Sequence, residues 1–152
     1  MGGRDRARSV IELTRIELTR RYEFPAAHVL SHPALSEEQN QATYGKCANP
    51  NGHGHNYAVE VTVTGPVDER TGRIVPPELL DRIFDERISS RFSRRLLNDD
   101  EAFSDCVPTA ENIALAIHAG LATEVASRSS AELVRVKVVE TRRNSCISGV
   151  LA

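Results

Sequence analysis

Apolar and polar side chains alternate along three segments of the chain. The segments are residues 16–24 (IELTRRYEF), 55–64 (HNYAVEVTVT) and 133–140 (LVRVKVVE). A period of two places every second side chain on the same face of an extended strand, so each segment is predicted to form a half-buried β-strand. The dipeptide Gly65-Pro66 is predicted to end the second strand.

Two longer segments have the apolar spacing of amphipathic helices. Pro76 and Pro77 open the first helix, which is predicted to run to about Phe92, because proline suits a first helical turn. Thr109 is predicted to cap the second helix, which runs to about Val125. Residues 29–46 are predicted to be a long loop and residues 93–108 to be irregular. This order of elements predicts an α+β fold with an antiparallel sheet.

The N-terminal residues lack such a period. Residues 1–10 (MGGRDRARSV) are rich in glycine and arginine, and the pentapeptide IELTR occurs at 11–15 and again at 16–20. Because five is odd, the two copies would point to opposite faces of one strand, so one copy is redundant or a bulge separates them. We therefore expect a flexible N-terminal extension over residues 1–15 and a single domain over residues 16–152.

Composition excludes several classes of protein. The formal net charge of −2 over 152 residues argues against a general nucleic-acid partner, which usually presents a strongly basic face. No apolar run approaches the roughly 20 residues that a membrane helix needs, so no membrane partner is expected either. The three cysteines, Cys47, Cys106 and Cys146, are an odd and sparse set, which favours reduced thiols in a cytoplasmic protein.

A histidine pair gives the first indication of chemistry. His53 and His55 are separated by one glycine at the start of the second predicted strand, so their imidazoles share a face and form half of a zinc site. A catalytic zinc site usually has three protein ligands. His28, just after the first strand, is the best candidate for the third, and His32 is the alternative. His118 lies in the middle of a predicted helix and is interpreted as structural.

Three other residues are candidates for function. Cys47 precedes the histidine pair, and a thiol near a divalent cation or a protonated histidine has a lowered pKa and acts as a base or nucleophile. Glu140 ends the third strand, where a carboxylate accepts two N–H donors from a guanidine-like heterocycle edge. Glu111 lies in the first turn of the second helix, where an acid also simply complements the helix dipole. Cys106 and Cys146 are predicted to be packing residues.

Four separated motifs, in order, resemble the 6-pyruvoyl-tetrahydropterin synthase and 6-carboxy-tetrahydropterin synthase family. The strongest is Tyr44–Tyr57 (YGKCANPNGHGHNY), and the others are Phe24–His28, Pro108–Asn112 and Val139–Thr141. The resemblance covers about residues 16–145. It implies the family's tunnelling fold, a four-stranded antiparallel sheet with two helices on one face. It also implies that three subunits join their sheets into a barrel, that two barrels form a homohexamer, and that sites lie between subunits.

The resemblance also implies an activity. A lyase of this family converts 7,8-dihydroneopterin triphosphate, a reduced pterin, to a 6-pyruvoyl or 6-carboxy tetrahydropterin with loss of triphosphate, using Zn²⁺ with Mg²⁺ assisting. By position, the zinc ligands are His28, His53 and His55, and Cys47 is the thiolate that moves side-chain protons.

The family motifs also suggest how the substrate is held. By position, Glu140 holds the pterin edge, with Glu111 and the backbone around Thr109 assisting. The five residues between Cys47 and His53 resemble the pyruvoyl branch. The PTAEN motif at residues 108–112 is instead closer to the carboxy branch, so the product remains open at this point.

One departure from the family pattern bears on mechanism. The family carries an Asp-His pair before the second helix, and Ser93 and Arg94 occupy those positions here. Arginine is no proton shuttle near neutral pH, because its pKa stays above about 12. Two alternatives therefore stand beside the synthase. One is a diverged enzyme that catalyses a partial reaction or acts on another substrate, and the other is a non-catalytic pterin binder.

Overall fold

The computed structural model of the chain describes residues 15–149. The flexible extension expected over residues 1–15 therefore lies outside the described residues except for Arg15, as does most of the first IELTR copy. The strands are β1 Glu17–His28, β2 His53–Thr64, β3 Glu132–Thr141 and β4 Asn144–Gly149. The α-helices are α1 Glu37–Tyr44, α2 Pro77–Phe84, α3 Ser90–Phe92 and α4 Ala110–Arg128.

The four strands form one antiparallel sheet in the order β1-β2-β3-β4. This confirms the α+β class and the four-stranded sheet. The alternation pattern itself predicted three of these strands, and only the family resemblance indicated the fourth. The strand β4 is short and carries few apolar residues, so it has little periodic signal of its own.

Helices α2 and α4 cover one face of the sheet. The core is built from alternate residues of β1, β2 and β3, such as Phe24, Val59 and Val136, against helical residues such as Ile83 and Ile117. The opposite face carries charged residues, because the alternate positions point away from the helices. One-sided burial of this kind is what the alternation of apolar and polar residues predicts for an antiparallel sheet.

The first two strands extend further than their apolar pattern predicts. Strand β1 continues from Phe24 through Pro25 to His28. Proline is accepted there because β1 lies at the edge of the sheet, where a missing N–H breaks no ladder hydrogen bond. Strand β2 begins at His53 rather than at residue 55. Both histidines of the H-x-H pair and His28 therefore belong to paired strands.

The prediction of one long loop over residues 29–46 is wrong, because α1 lies within it. Ser36 caps this helix by accepting a hydrogen bond from the N–H of Gln39, and the Gln39 side chain accepts from the N–H of Ser36. This reciprocal capping box satisfies two backbone donors. Helix α1 buries only Asn40, so it shows none of the apolar spacing used to detect helices.

The first long helix is continuous from Pro77 to Phe92 but changes its winding. A π-helical turn, Asp85–Ser89, separates α2 from α3. Helix α2 is fastened to the sheet by Arg20, whose guanidinium donates to both carboxylate oxygens of Asp81 at 2.8 and 2.7 Å. The Tyr22 hydroxyl donates to the same carboxylate at 3.0 Å. This explains how a charged residue occupies a helix-facing position of β1.

Candidate active site

Three histidines meet at one end of the sheet. His28 and His53 are directly paired across β1 and β2, and His55 is paired with Ala26 two positions further along. The period of two turns all three imidazoles to the helix-covered face. One ring nitrogen from each lies within 4.8 Å of the other two, and the Nε2 atoms of His28 and His53 are 3.0 Å apart.

The surroundings of His28 prepare it to act as a ligand. Its side chain is fully buried, and its Nδ1 donates a hydrogen bond to the Pro108 carbonyl at 2.8 Å. Because that carbonyl only accepts, the proton resides on Nδ1, and the lone pair of Nε2 faces the other two histidines. Burial also lowers the pKa of His28 and of His53, which favours the neutral form that binds metals.

The three-histidine group fits a zinc ion. Zinc binds imidazole nitrogen at about 2.0–2.1 Å, so its ligand atoms must lie a few ångströms from one another. His55 Nε2 is buried and has no hydrogen-bond partner among the described residues. Buried polar atoms without partners are costly, and a bound metal ion is one of the recognised explanations for them. The donor set and its spacing are therefore consistent with zinc.

Glu140 lies on the same face of the sheet as the histidines. Val136 and Val138 of β3 are fully buried on that face, and the period of two brings Glu140 to it as well. The pairing of β3 with β4 shifts beside it, between Val139 and Thr141. One carboxylate oxygen lies 3.7 Å from His28 Nε2 and 3.9 Å from His55 Nε2. The other oxygen accepts a hydrogen bond from the Asn144 side chain at 2.8 Å.

Cys47 lies near Glu140, since the charge of that carboxylate acts on its thiol. It lies in the 3₁₀ turn Gly45–Ala48, and its carbonyl accepts a hydrogen bond from the N–H of Leu30 at 2.8 Å. Burial, and then the negative charge of Glu140, raise the pKa of the Cys47 thiol. The lowering expected from the sequence therefore depends on a positive charge held by the histidines.

Glu111 and Thr109 lie at the amino end of α4. Thr109 caps this helix, as predicted, by accepting from the N–H of Asn112 at 3.3 Å. Glu111 is exposed, and its carboxylate is close enough to Cys146 to contribute, after burial, to raising the pKa of that thiol. Neither side chain is hydrogen-bonded to the histidines. The direct link from this helix end is instead the Pro108 carbonyl.

The remaining two histidines lie outside the group. The ring of His32 accepts a hydrogen bond from the N–H of Ala34 at 3.1 Å and is not among the clustered ligand atoms. The alternative assignment of His32 as the third ligand is therefore not supported. His118 is on α4, and its buried Nδ1 has no hydrogen-bond partner among the described residues.

Ser93 and Arg94 follow α3 and run beside the end of β1. The N–H of Arg94 donates to the Pro25 carbonyl at 2.6 Å, and the N–H of Ala27 donates to the Arg95 carbonyl at 2.9 Å. Arg94 has a φ of 60° and is the only non-glycine residue with positive φ in the described part of the chain. The two positions that depart from the family pattern are thus held against the strand that ends in His28.

The sequence analysis missed Asn98 as a positioning residue. Its side-chain oxygen accepts from the N–H of Val29 at 2.8 Å, and its side-chain nitrogen donates to the Val29 carbonyl at 2.9 Å. These two bonds fix the backbone immediately after His28. No local pattern in the sequence predicted this role for Asn98. Nothing local predicted that the Pro108 carbonyl would orient His28.

Together these features define an α+β domain in which a three-histidine group consistent with zinc binding lies with a thiol and a carboxylate at one end of the sheet. Among residues 15–149, no helix is long and apolar enough to cross a membrane. The model of the 6-pyruvoyl tetrahydropterin synthase family matches residues 17–149.

Individual relatives agree with the family match. The 6-pyruvoyl tetrahydrobiopterin synthase of Homo sapiens is 40% identical over 129 residues, covering 84% of this chain and 87% of that protein. The enzyme of Drosophila melanogaster is 39% identical over 128 residues, covering 84% and 75% respectively. The structure of Caenorhabditis elegans 6-pyruvoyl tetrahydropterin synthase superposes with a TM-score of 0.82 at 32% identity, covering 91% of this chain and 97% of that one. The chain belongs to the 6-pyruvoyl tetrahydropterin synthase family and is a lyase of that type.

Proposed function

We propose that this enzyme converts 7,8-dihydroneopterin triphosphate to a 6-substituted tetrahydropterin with loss of triphosphate. The observation that carries the proposal is the meeting of three histidines, Cys47 and Glu140 at one end of the sheet. A metal site, a thiol and a carboxylate are what proton rearrangement on a hydroxylated pterin side chain requires.

Each residue has a distinct role in this proposal. His28, His53 and His55 hold zinc, which supplies Lewis-acid chemistry at the hydroxylated side chain of the pterin. Cys47 moves protons at the carbon atoms that this polarisation acidifies. Glu140 accepts two N–H donors from the pyrimidine edge, and its bond to Asn144 keeps the carboxylate oriented.

Helix α4 also contributes to substrate binding in this proposal. Glu111, in the first turn of α4, and the backbone around Thr109 assist in holding the pterin. Mg²⁺ accompanies the departing triphosphate.

The 6-pyruvoyl compound is the proposed product. Five residues separate Cys47 from His53, and the relatives at 39–40% identity are named 6-pyruvoyl tetrahydrobiopterin synthases. The test is an anaerobic incubation of the zinc-loaded protein with 7,8-dihydroneopterin triphosphate, followed by mass spectrometry. A 6-pyruvoyl product supports the proposal. A 6-carboxy product assigns the enzyme to the carboxy branch of the family instead, and unchanged substrate contradicts synthase activity.

A second candidate function rests on Ser93 and Arg94. If the missing Asp-His pair limits proton transfer, the enzyme is a diverged member that carries out a partial reaction or takes another substrate. Arg94→His is then expected to raise kcat for 7,8-dihydroneopterin triphosphate. An unchanged kcat contradicts this explanation.

We also propose a homohexamer built from two barrels of three subunits, with active sites between subunits, working in the cytoplasm. The sheet order leaves β1 and β4 as its two edges, and exposed edges are natural sites for pairing with another chain. The three free cysteines suit a reducing compartment. Light scattering coupled to size-exclusion chromatography tests the assembly, and a monomer at micromolar concentration contradicts it.

A further inference from the structure

A cavity of about 490 Å³ lies next to the three-histidine group. Its walls are residues 25–27 of β1, residues 54–56 of β2 and residues 94–96. His55 belongs to both the cavity wall and the histidine group. Apart from this histidine, the only ionisable side chains in the wall are Arg94 and Arg95. No carboxylate lines the cavity, so its charge favours an anionic ligand.

The two arginines are available to such a ligand. Both are exposed, and neither forms an ion pair with an acidic residue in the described part of the chain. The neighbouring Arg91 is different, because its guanidinium forms an ion pair with the carboxylate of Asp100 at 2.5 Å, and the two charges compensate each other. The arginines at the cavity therefore retain their donors.

The backbone holds Arg94 in an unfavourable conformation at this place. Its φ of 60° is uncommon for a residue with a side chain, and such conformations cluster at functional sites. Hydrogen bonds from Arg94 to Pro25 and from Ala27 to Arg95 fasten the segment to β1 on the cavity wall. The pair is thus positioned by the sheet rather than carried on a free loop.

We propose that Arg94 and Arg95 bind the triphosphate of the substrate. The proposal rests on the proposed function, because it takes the pterin side chain to lie at the histidines and its triphosphate to extend from there into the cavity beside His55. Arginine binds phosphate oxygens through paired N–H donors and stays charged at any working pH. In this proposal Arg94, which stands at the position of the family's histidine, binds the substrate instead of transferring protons.

The test measures the binding of two fragments of the substrate by isothermal titration calorimetry, using the full chain loaded with zinc. The fragments are inorganic triphosphate and unphosphorylated 7,8-dihydroneopterin. The variants are Arg94→Asn, Arg95→Gln and the double variant. Asparagine is chosen at position 94 because it tolerates a left-handed backbone. Arg70→Gln is the matched control, since Arg70 is exposed, unpaired among the described residues and located beyond the far end of β2.

We expect each cavity variant to bind triphosphate about tenfold more weakly, the size of one lost hydrogen bond to a charged group. Affinity for dihydroneopterin should stay within about twofold, and Arg70→Gln should behave like the wild type. The proposal is overturned if the wild type does not bind triphosphate, or if the double variant binds it as tightly as the wild type. An equal loss in Arg70→Gln also overturns it, because that indicates general charge attraction.

The two fragments separate this proposal from the proposed function. If the wild type binds triphosphate through the two arginines but does not bind dihydroneopterin, the pterin substrate is wrong and the anion site stands. If it binds dihydroneopterin and the arginine variants leave triphosphate binding intact, the pterin substrate stands and the anion site is wrong. Thermal melts followed by circular dichroism verify that each variant is folded.

Discussion

Replacing Asn98 with alanine tests whether the backbone after His28 positions the metal site. The substitution removes two hydrogen bonds, one to the N–H and one to the carbonyl of Val29. Each such bond contributes about 0.5–1.5 kcal/mol. The free energy of unfolding should therefore fall by about 1–3 kcal/mol, toward the lower figure if water reaches the half-buried Val29 backbone.

The loss of zinc affinity in Asn98→Ala should exceed what the loss of folding stability alone explains. Because Val29 follows His28 directly and Leu30 bonds to the Cys47 carbonyl, loosening this segment displaces both a proposed ligand and the thiol. Residues that support metal ligands typically contribute 10- to 100-fold in affinity. Asn98 acts through the backbone rather than on the imidazole itself, so we expect a loss of about tenfold, at the lower end of that range.

Two measurements on the same variants separate stability from positioning. Urea denaturation gives the free energy of unfolding, and competition with a chromophoric chelator gives the zinc affinity. Asn40→Ala is the control, because the Asn40 amide also bonds to loop backbone, at His32 and Leu35, away from the histidine group. It should lower stability and leave zinc affinity unchanged. Equal zinc affinity in Asn98→Ala and the wild type refutes the positioning argument, and so does an equal loss in Asn40→Ala.

Three further outcomes are expected. Cys47→Ala should abolish product formation, measured by mass spectrometry, while zinc content and pterin binding persist; retained turnover excludes the thiol from proton transfer. Chelation of zinc should remove activity and leave the far-ultraviolet circular dichroism spectrum intact, because of the three proposed ligands only His28 is fully buried and none belongs to the hydrophobic core. Loss of the spectrum on chelation contradicts the expectation that the fold does not need the metal. Asp81→Ala should lower the unfolding free energy by about 1 kcal/mol, since its pair with Arg20 is partly exposed. No change in the urea midpoint contradicts this role.

The elements that carry a periodic apolar signal were predictable from the sequence. Strand β2 and helix α4 have such signals because apolar residues line the face that each packs into the core, and Thr109 was recognised as a cap from its residue type. Helix α1 buries almost nothing, so its only signal was the capping box at Ser36 and Gln39. Strand β4 has too few apolar residues to stand out and was expected from the family resemblance alone.

The site was predictable to the extent that it depends on local spacing. The H-x-H pair placed His53 and His55 on one face of a strand, and the structure brings them together with His28. The contacts that prepare these residues link parts of the chain far apart in sequence. The Pro108 carbonyl lies 80 residues from His28, and Asn98 lies 69 residues from Val29. Such contacts follow from the packing of α4 and the preceding turns, which no local pattern encodes.

Because His28 and His53 are paired directly across β1 and β2, a metal ion can bind both only when these two strands are correctly aligned. A slip of one residue between β1 and β2 would turn His53 and His55 to the other face, because side chains alternate along a strand. A ligand that binds only one alignment stabilises it by mass action. Rising zinc concentration should therefore suppress transient opening and mispairing of these two strands, and amide hydrogen exchange along β1 should slow with it.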